Sequence, residues 1–155
     1  MKKKILSLLL VAGLSVSLFA GCGSGAADAD KATAEGGKEA ASDLKIGAIL
    51  IGDETETYSK AHIDGIKEAA KELGIPENNI EWKERIDESE DCYDAAKALV
   101  ADGCTLVISN SYGHQDYIAE AAEEFTDVNF VSMTGDYAAI SGLDNYYNAF
   151  TNVYE

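Results

Sequence analysis

The stretch Gly103-Cys104-Thr105-Leu106-Val107-Ile108-Ser109-Asn110-Ser111-Tyr112-Gly113-His114 decides the fold. Its centre, residues 106–108, is a short, continuous apolar run with β-branched side chains, which is typical of a strand buried on both faces. Small polar residues, an aromatic residue and a glycine follow abruptly, and a helical pattern comes next. Ligands of open α/β sheets bind beyond the carboxyl ends of the strands. We therefore expect a binding site at this turn.

Strand and helix patterns alternate on both sides of this stretch. Gly74 and Pro76 end the first helical pattern, since glycine suits the left-handed position and proline cannot continue a helix. Short loops favour right-handed crossovers, so the sequence predicts a doubly wound parallel α/β sheet of order 2-1-3-4. The second strand, the most polar, is expected at the edge. The predicted strands span residues 45–51, 79–85, 106–108, 128–133 and 145–150, and the predicted helices span 58–73, 89–102 and 115–125.

The N-terminus has the parts of an export signal: three lysines, an apolar run and small residues before a cysteine. Its ending, Phe19-Ala20-Gly21-Cys22, resembles the bacterial lipoprotein box, which implies cleavage before Cys22 and lipid on its thiol. An ordinary cleaved signal is the alternative. A membrane-spanning helix is disfavoured because the apolar run is shorter than ~20 residues. The predicted divisions are a signal over 1–21, a flexible tether over 22–43 and a lobe over 44–155.

Charge excludes some partners. Acidic residues outnumber basic ones by 28 to 12, for a formal charge of -16. Such a surface repels nucleic-acid phosphates and anionic lipid headgroups, so neither is an expected partner.

The spacing of the cysteines and histidines does not indicate a metal or cofactor site. We expect Cys92 and Cys104 to be buried free thiols, and a disulfide is the alternative in an exported protein. His62 and His114 lack the spacing of metal ligands, and no glycine-rich phosphate loop is present. We therefore expect neither a metal nor a cofactor.

Three loops converge at the carboxyl edge of the predicted sheet: residues 53–59, 110–114 and 134–137. They carry Tyr58, Tyr112 and Tyr137 among hydroxyls and acids. Aromatic faces beside hydroxyls suit a flat, polar-edged small molecule. A purely structural, half-buried ring is the alternative for each tyrosine.

Residues 45–155 resemble the basic membrane protein family in the order and spacing of their elements. That family comprises lipoproteins that are nucleoside-binding receptors of ABC importers. Thr57-Tyr58-Ser59 stands where the family has a Ser-Phe-Asn motif whose aromatic ring stacks on the base, and Ser111-Tyr112 stands where it has Gly-Phe. Residues 121–130 resemble the family's helix, Pro-Asp and following strand, with Thr126 replacing the proline.

The resemblance implies one lobe of the two-lobed type I periplasmic-binding-protein fold, with the chain ending before the second lobe. It implies a lipid-anchored protein on the extracytoplasmic face of the cell membrane. Such a protein has no enzymatic activity or cofactor, and it delivers a purine nucleoside or related heterocycle to an ABC permease. The implied ligand-binding residues are Thr57, Tyr58, Ser59, Ser111, Tyr112, His114, Thr134 and Asp136.

Two departures from the family concern polar contacts to the ligand. Glu54-Thr55-Glu56 stands in place of an acidic pair, and Thr134 replaces a strand-ending Asp. A sugar or autoinducer receptor of the same fold is one alternative, although Trp82 on the edge strand is poorly placed for it. A secreted hydrolase using Ser111 as nucleophile and His114 as base is another.

Overall fold

The computed structural model describes residues 43–149. The predicted signal, nearly all of the tether, the predicted lipidation site at Cys22 and the end of the predicted strand at residue 150 lie outside the described residues. Within them, five parallel strands form one sheet of order β2-β1-β3-β4-β5, which confirms the α/β class, the predicted order and the edge position of β2. The strands are β1 (Ile46–Ile49), β2 (Ile80–Lys83), β3 (Leu106–Ser109), β4 (Asn129–Ser132) and β5 (Tyr146–Asn148).

Four helices connect these strands: α1 (Thr57–Leu73), α2 (Glu90–Ala101), α3 (Gln115–Glu124) and α4 (Ala138–Ser141). The first three agree with the sequence prediction to within about one residue at each end. Gly74 ends α1 in the left-handed conformation, with φ 76°, as predicted. The short α4 and the 3-10 turns Glu77–Asn79 and Tyr112–His114 were not predicted, because three or four residues do not show a helical period.

The two faces of the sheet carry different helices. A right-handed crossover from β1 to β2 runs in one direction along the sheet, whereas the later connections run in the other, so α1 lies on one face and α2 and α3 on the opposite face. We call these the α1 face and the α2–α3 face. Ile46 and Ala48 pack on the α1 face, and Ile49 packs on the α2–α3 face. The central strand β1 is therefore buried on both sides, and its carboxyl end opens between the two layers.

Candidate functional site

Asn110 connects three loops at the carboxyl edge. Its side-chain Oδ1 accepts the backbone N–H of Ile51 at 3.0 Å, and its Nδ2 donates to Ser59 Oγ at 3.1 Å. Its carbonyl oxygen accepts the hydroxyls of Tyr58 and, at 3.0 Å, of Thr134. The loops after β1, β3 and β4 therefore converge as predicted, and one buried residue holds them together.

The start of α1 is fixed by Glu56. Its carboxylate accepts the backbone N–H groups of Ser59 and, at 2.9 Å, of Tyr58, and so caps the helix. Hydrogen bonds from Ser59 lower the pKa of Glu56. A Cβ at Gly52 would lie 2.7 Å from Glu56 Oε1, so a larger residue there would displace the capping carboxylate. This acidic residue, which departs from the family pattern, is thus already engaged in ordering the loop that carries Tyr58.

Glu88 orders the loop after β3 from the start of α2. Its Oε1 accepts the hydroxyl of Ser111 and, at 3.0 Å, the N–H of Gly113. The hydrogen bond from Ser111 is the main cause that lowers the pKa of Glu88. His114 is fully buried below this loop, and its Nε2–H donates to the carbonyl of Ile86 at 3.0 Å. Hydrogen bonds of the Glu88 carboxylate and of the buried His114 imidazole therefore hold this loop in place.

The loop after β4 is positioned by Gln115. Its Oε1 accepts the backbone N–H groups of Asp136 and Tyr137, each at 3.1 Å. Gly135, with φ 120°, has no room for a Cβ, which would lie 2.5 Å from the same oxygen. The backbone of this loop is thus fixed, while the side chains of Asp136 and Tyr137 stay exposed.

The predicted site residues fall into two groups. Tyr58 and Tyr112 are 42% and 60% exposed, and the side chains of Thr57 and Asp136 also reach solvent. Thr134 is half-buried and shares the Asn110 carbonyl with Tyr58. The second group is buried and lies beneath the loops rather than at their surface: Ser59, Ser111 and His114.

A salt bridge forms the rim beside the edge strand. The guanidinium of Arg85 donates from Nε to Asp53 Oδ2 at 2.5 Å. Arg85 adopts φ 57°, in the left-handed region that few non-glycine residues occupy. Hydrogen bonds from Thr55, followed by those from Arg85, lower the pKa of Asp53 to about 2. Asp53 therefore joins the loop after β1 to the segment after β2 before the chain enters α1.

The carboxyl edge is strongly acidic. Its loops and helix starts, residues 51–59, 84–89, 110–116 and 134–137, contain Arg85 as their one Lys or Arg. Carboxylates at close range disfavour a second anion in the same place. The acids are Asp53, Glu54, Glu56, Glu84, Asp87, Glu88, Asp116 and Asp136.

Three residues that organise the site were not among the predicted site residues: Asn110, Glu88 and Gln115. Each acts through hydrogen bonds to segments more than 20 positions away, and a local pattern does not reveal such contacts. One signal was available for Asn110. An amide directly after a buried strand, at the sheet edge where ligands bind, is a candidate for joining neighbouring loops.

The arrangement needed by the hydrolase alternative is not formed. The hydroxyl of Ser111 donates to Glu88, and the Nε2–H of His114 donates to Ile86. His114 Nδ1 is buried without a hydrogen-bond partner among the described residues. Ser111 and His114 are therefore not paired as nucleophile and base.

The remaining chemistry-bearing groups agree with a structural role. Cys92 and Cys104 are buried free thiols, and burial raises the pKa of Cys92 to about 12. In residues 43–149, no group of three or more His, Cys, Asp or Glu side chains could hold a metal ion. No helix within that range is both long and apolar enough to cross a membrane.

Comparisons with solved structures find the same fold. An ABC transporter solute-binding protein from Conexibacter woesei is similar with a TM-score of 0.58 and 19% identity, over 68% of this chain and 34% of that one. A transcriptional activator of the comK gene from Bacillus halodurans is similar with a TM-score of 0.50 and 20% identity, over 59% of this chain and 30% of that one. No protein-family model and no curated protein matches the sequence.

The chain spans about a third of the length of these solved structures. At such identities the likeness concerns the fold alone. Together with the five-stranded parallel sheet and its flanking helices, it shows that residues 43–149 form an α/β lobe of the periplasmic-binding-protein type.

Proposed function

We propose that this chain is the ligand-binding lobe of an extracytoplasmic solute-binding protein that takes an uncharged, flat heterocycle such as a purine nucleoside. The observation that carries the proposal is the exposed ring of Tyr58, held at the carboxyl edge of the sheet by the carbonyl of Asn110. A fixed aromatic face beside polar loops suits a ligand that stacks on its face and hydrogen-bonds at its rim. The resemblance of Thr57-Tyr58-Ser59 to the nucleoside receptors' stacking motif supports the same ligand class.

The charge of the edge supports a neutral ligand. The eight carboxylate residues near the three loops face one guanidinium, and Asp53 already engages it. A phosphate would therefore meet repulsion without a free cation to offset it. We accordingly propose nucleosides or free bases, and not nucleotides, as ligands.

We further propose that a second lobe closes over the exposed tyrosines. Small-molecule sites usually bury 70–90% of the ligand, whereas Tyr58 and Tyr112 leave much of their surface open to solvent. Closure of two lobes around a ligand is the hinge mechanism of binding proteins. The captured ligand would then be passed to an ABC permease, as the receptor class implies.

Titration of the full chain with adenosine, followed by NMR chemical shifts, tests this function. For this lobe alone we expect no better than millimolar binding, with shifts at Tyr58 and Tyr112 that are lost in Tyr58→Ala. In a complete two-lobed protein, Tyr58→Ala should weaken binding by about ten- to a hundredfold. Adenosine monophosphate is the matched control and should bind more weakly. Equal shifts with both compounds, or shifts confined to other parts of the sheet, would refute the proposed site.

The lipid anchor is a separate proposal, supported by the sequence before Cys22. If Cys22 is lipidated, Cys22→Ser should release the protein from the membrane fraction or block its processing. Fractionation followed by mass spectrometry of the N-terminus measures both. Normal processing with unchanged membrane retention would contradict the anchor.

The sugar-receptor alternative depends on the position of Trp82. Trp82, the indole such a receptor would stack on a sugar, pairs with Ala48 in the middle of the strands. Lys67 lies over its ring, with Nζ 5.8 Å from the ring centroid. Trp82 therefore lies on the side of the sheet, where it lines a cavity of about 510 Å³ together with Asp53 and Arg85 of the carboxyl-end loops.

A further inference from the structure

We infer that Asn110 is a positioning residue: it fixes the ring of Tyr58 and engages the Tyr58 hydroxyl, so that only the ring face is offered to a ligand. The inference rests on the proposed function for its consequence in binding. The arrangement of Asn110 and Tyr58 can be tested without any ligand.

Asn110 is itself held rigidly. It is 1% exposed, and its backbone N–H extends the β3 ladder by donating to the carbonyl of Ile49 at 3.1 Å. Its amide then bonds Ile51 on one side and Ser59 on the other, at 3.0 and 3.1 Å. A buried amide whose donor and acceptor are both engaged cannot rotate without leaving a polar group unpaired.

The carbonyl of Asn110 is therefore a fixed acceptor at the surface of the site. It receives the hydroxyl of Tyr58 from α1 and the hydroxyl of Thr134 from the loop after β4. A carbonyl has two lone pairs, so these two donors use its capacity. A ligand group that needed this oxygen would have to displace one of them.

Tyr58 is held at both ends. Its hydroxyl is bound to Asn110, and its ring meets His62 edge-to-face with a centroid distance of 4.7 Å and an interplanar angle of 74°. The ring nevertheless remains 42% exposed. Its face is thus oriented before a ligand arrives, which removes part of the ordering cost of binding.

This arrangement changes what the hydroxyl of Tyr58 does. It is not a free hydrogen-bonding group for the ligand, because it already donates to Asn110. Tyr58→Phe should keep the stacking face but lose the hydrogen bond to Asn110 that holds the ring. Adenosine binding should then weaken by about fivefold, the factor that corresponds to the loss of one ordinary hydrogen bond. Asn110→Leu should weaken it to a similar degree, because it leaves Ile51 N–H without its acceptor and loosens the carbonyl.

The test combines ring dynamics with binding. Carbon-13 labelling of tyrosine rings reports the flip rate of Tyr58 in the full chain, and we expect faster flipping in Asn110→Leu than in the unmodified protein. The double variant Tyr58→Phe, Asn110→Leu should lose less adenosine affinity than the sum of the single losses, because both remove the same anchor.

Tyr147→Phe is the matched control. Tyr147 is also an exposed tyrosine whose hydroxyl donates to a backbone carbonyl, that of Asp144 at 2.7 Å. Removing this bond should leave both the Tyr58 ring and adenosine binding unchanged.

The outcomes separate the inference from the proposed function. Unchanged Tyr58 ring dynamics in Asn110→Leu would overturn the positioning role, even if adenosine binds. Faster ring flipping in a protein that ignores adenosine would support the positioning role and remove the nucleoside proposal. Fully additive affinity losses would also overturn the inference, since they would mean that the two residues act independently.

Discussion

Within residues 43–149, the two faces of the sheet differ in how completely helices cover them. On the α2–α3 face, Leu99, Val107, Ile118 and Phe130 are 0% exposed. On the α1 face, the apolar side chains that β3 and β4 present remain half-buried, and an apolar groove of about 290 Å³ runs beside α1. The groove is lined by Leu44, Ile46, Ala61, His62, Gly65, Ile66, Ala69, Ala70, Leu73, Ile75, Leu106, Ile108 and Met133.

Chain direction explains the difference. In the described residues, one crossover runs from β1 toward β2, and every later crossover runs toward β5. Because crossovers are right-handed, the single connection places one helix on the α1 face and the others place theirs opposite. The strand order therefore decides which face more helices cover. The same apolar side chain then contributes differently to stability on the two faces.

The largest expected effect comes from truncating a sealed side chain. Leu99→Ala on the α2–α3 face should cost about 2–5 kcal/mol of unfolding free energy, since the cavity cannot be filled. Met133→Ala, which removes a half-buried side chain at the groove, should cost clearly less because solvent already reaches it. Urea unfolding measures both. Equal losses would mean that the two faces are equally sealed in solution.

Adding a single methyl group at each of two glycines tests the same difference in packing. A Cβ on Gly47 in β1 would lie 2.7 Å from Leu99 Cδ1, whereas a Cβ on Gly65 in α1 would meet nothing within 4 Å. Gly47→Ala should therefore cost about 1–3 kcal/mol by overpacking. Gly65→Ala should stabilise the protein by about 0.5–1 kcal/mol through helix propensity. Thermal unfolding of both variants gives the signs, and a stabilising Gly47→Ala would contradict the close packing of α2 on β1.

Sequence patterns predicted most of this architecture and only part of the site. Helix periods and the crossover rule were enough for the strand order and the limits of α1, since those depend on local spacing and chain direction. The tyrosines at the loop ends could be named for the same reason. The roles of Asn110 and Glu88 could not, because their partners come from distant segments and only the folded chain brings them together.

The sequence pattern also did not predict that helices cover the α1 face incompletely in residues 43–149. Ile108 and Val107 are adjacent β-branched residues of one apolar run, yet Val107 is fully buried and Ile108 is half-buried. A strand with apolar residues on both sides predicts burial on both faces. The number of helices that cover each face is set by the direction of all the crossovers together.

The smallest expected effect is a pH dependence that distinguishes two histidines, one on each side of this comparison. Burial lowers the pKa of His114, which is fully buried, and also that of His62, which is half-buried at the groove. A lowered folded-state pKa means that the unfolded chain binds more protons just below pH 6.5. Stability is therefore complete above that value and falls as the pH drops, by at most about 1.4 kcal/mol per pH unit for each histidine.

Unfolding free energies measured between pH 7.5 and 5.5 isolate these two groups. The lowered pKa values of Asp53, Glu56 and Glu88 affect stability only nearer pH 4, where those carboxylates take up protons in the unfolded chain. His114→Gln should remove most of the slope, because protonation would place a charge on a buried Nδ1 that has no hydrogen-bond partner. His62→Gln should remove less, since water at the groove can solvate the imidazolium. A larger change in slope for His62→Gln would show that the α1 face is the drier of the two.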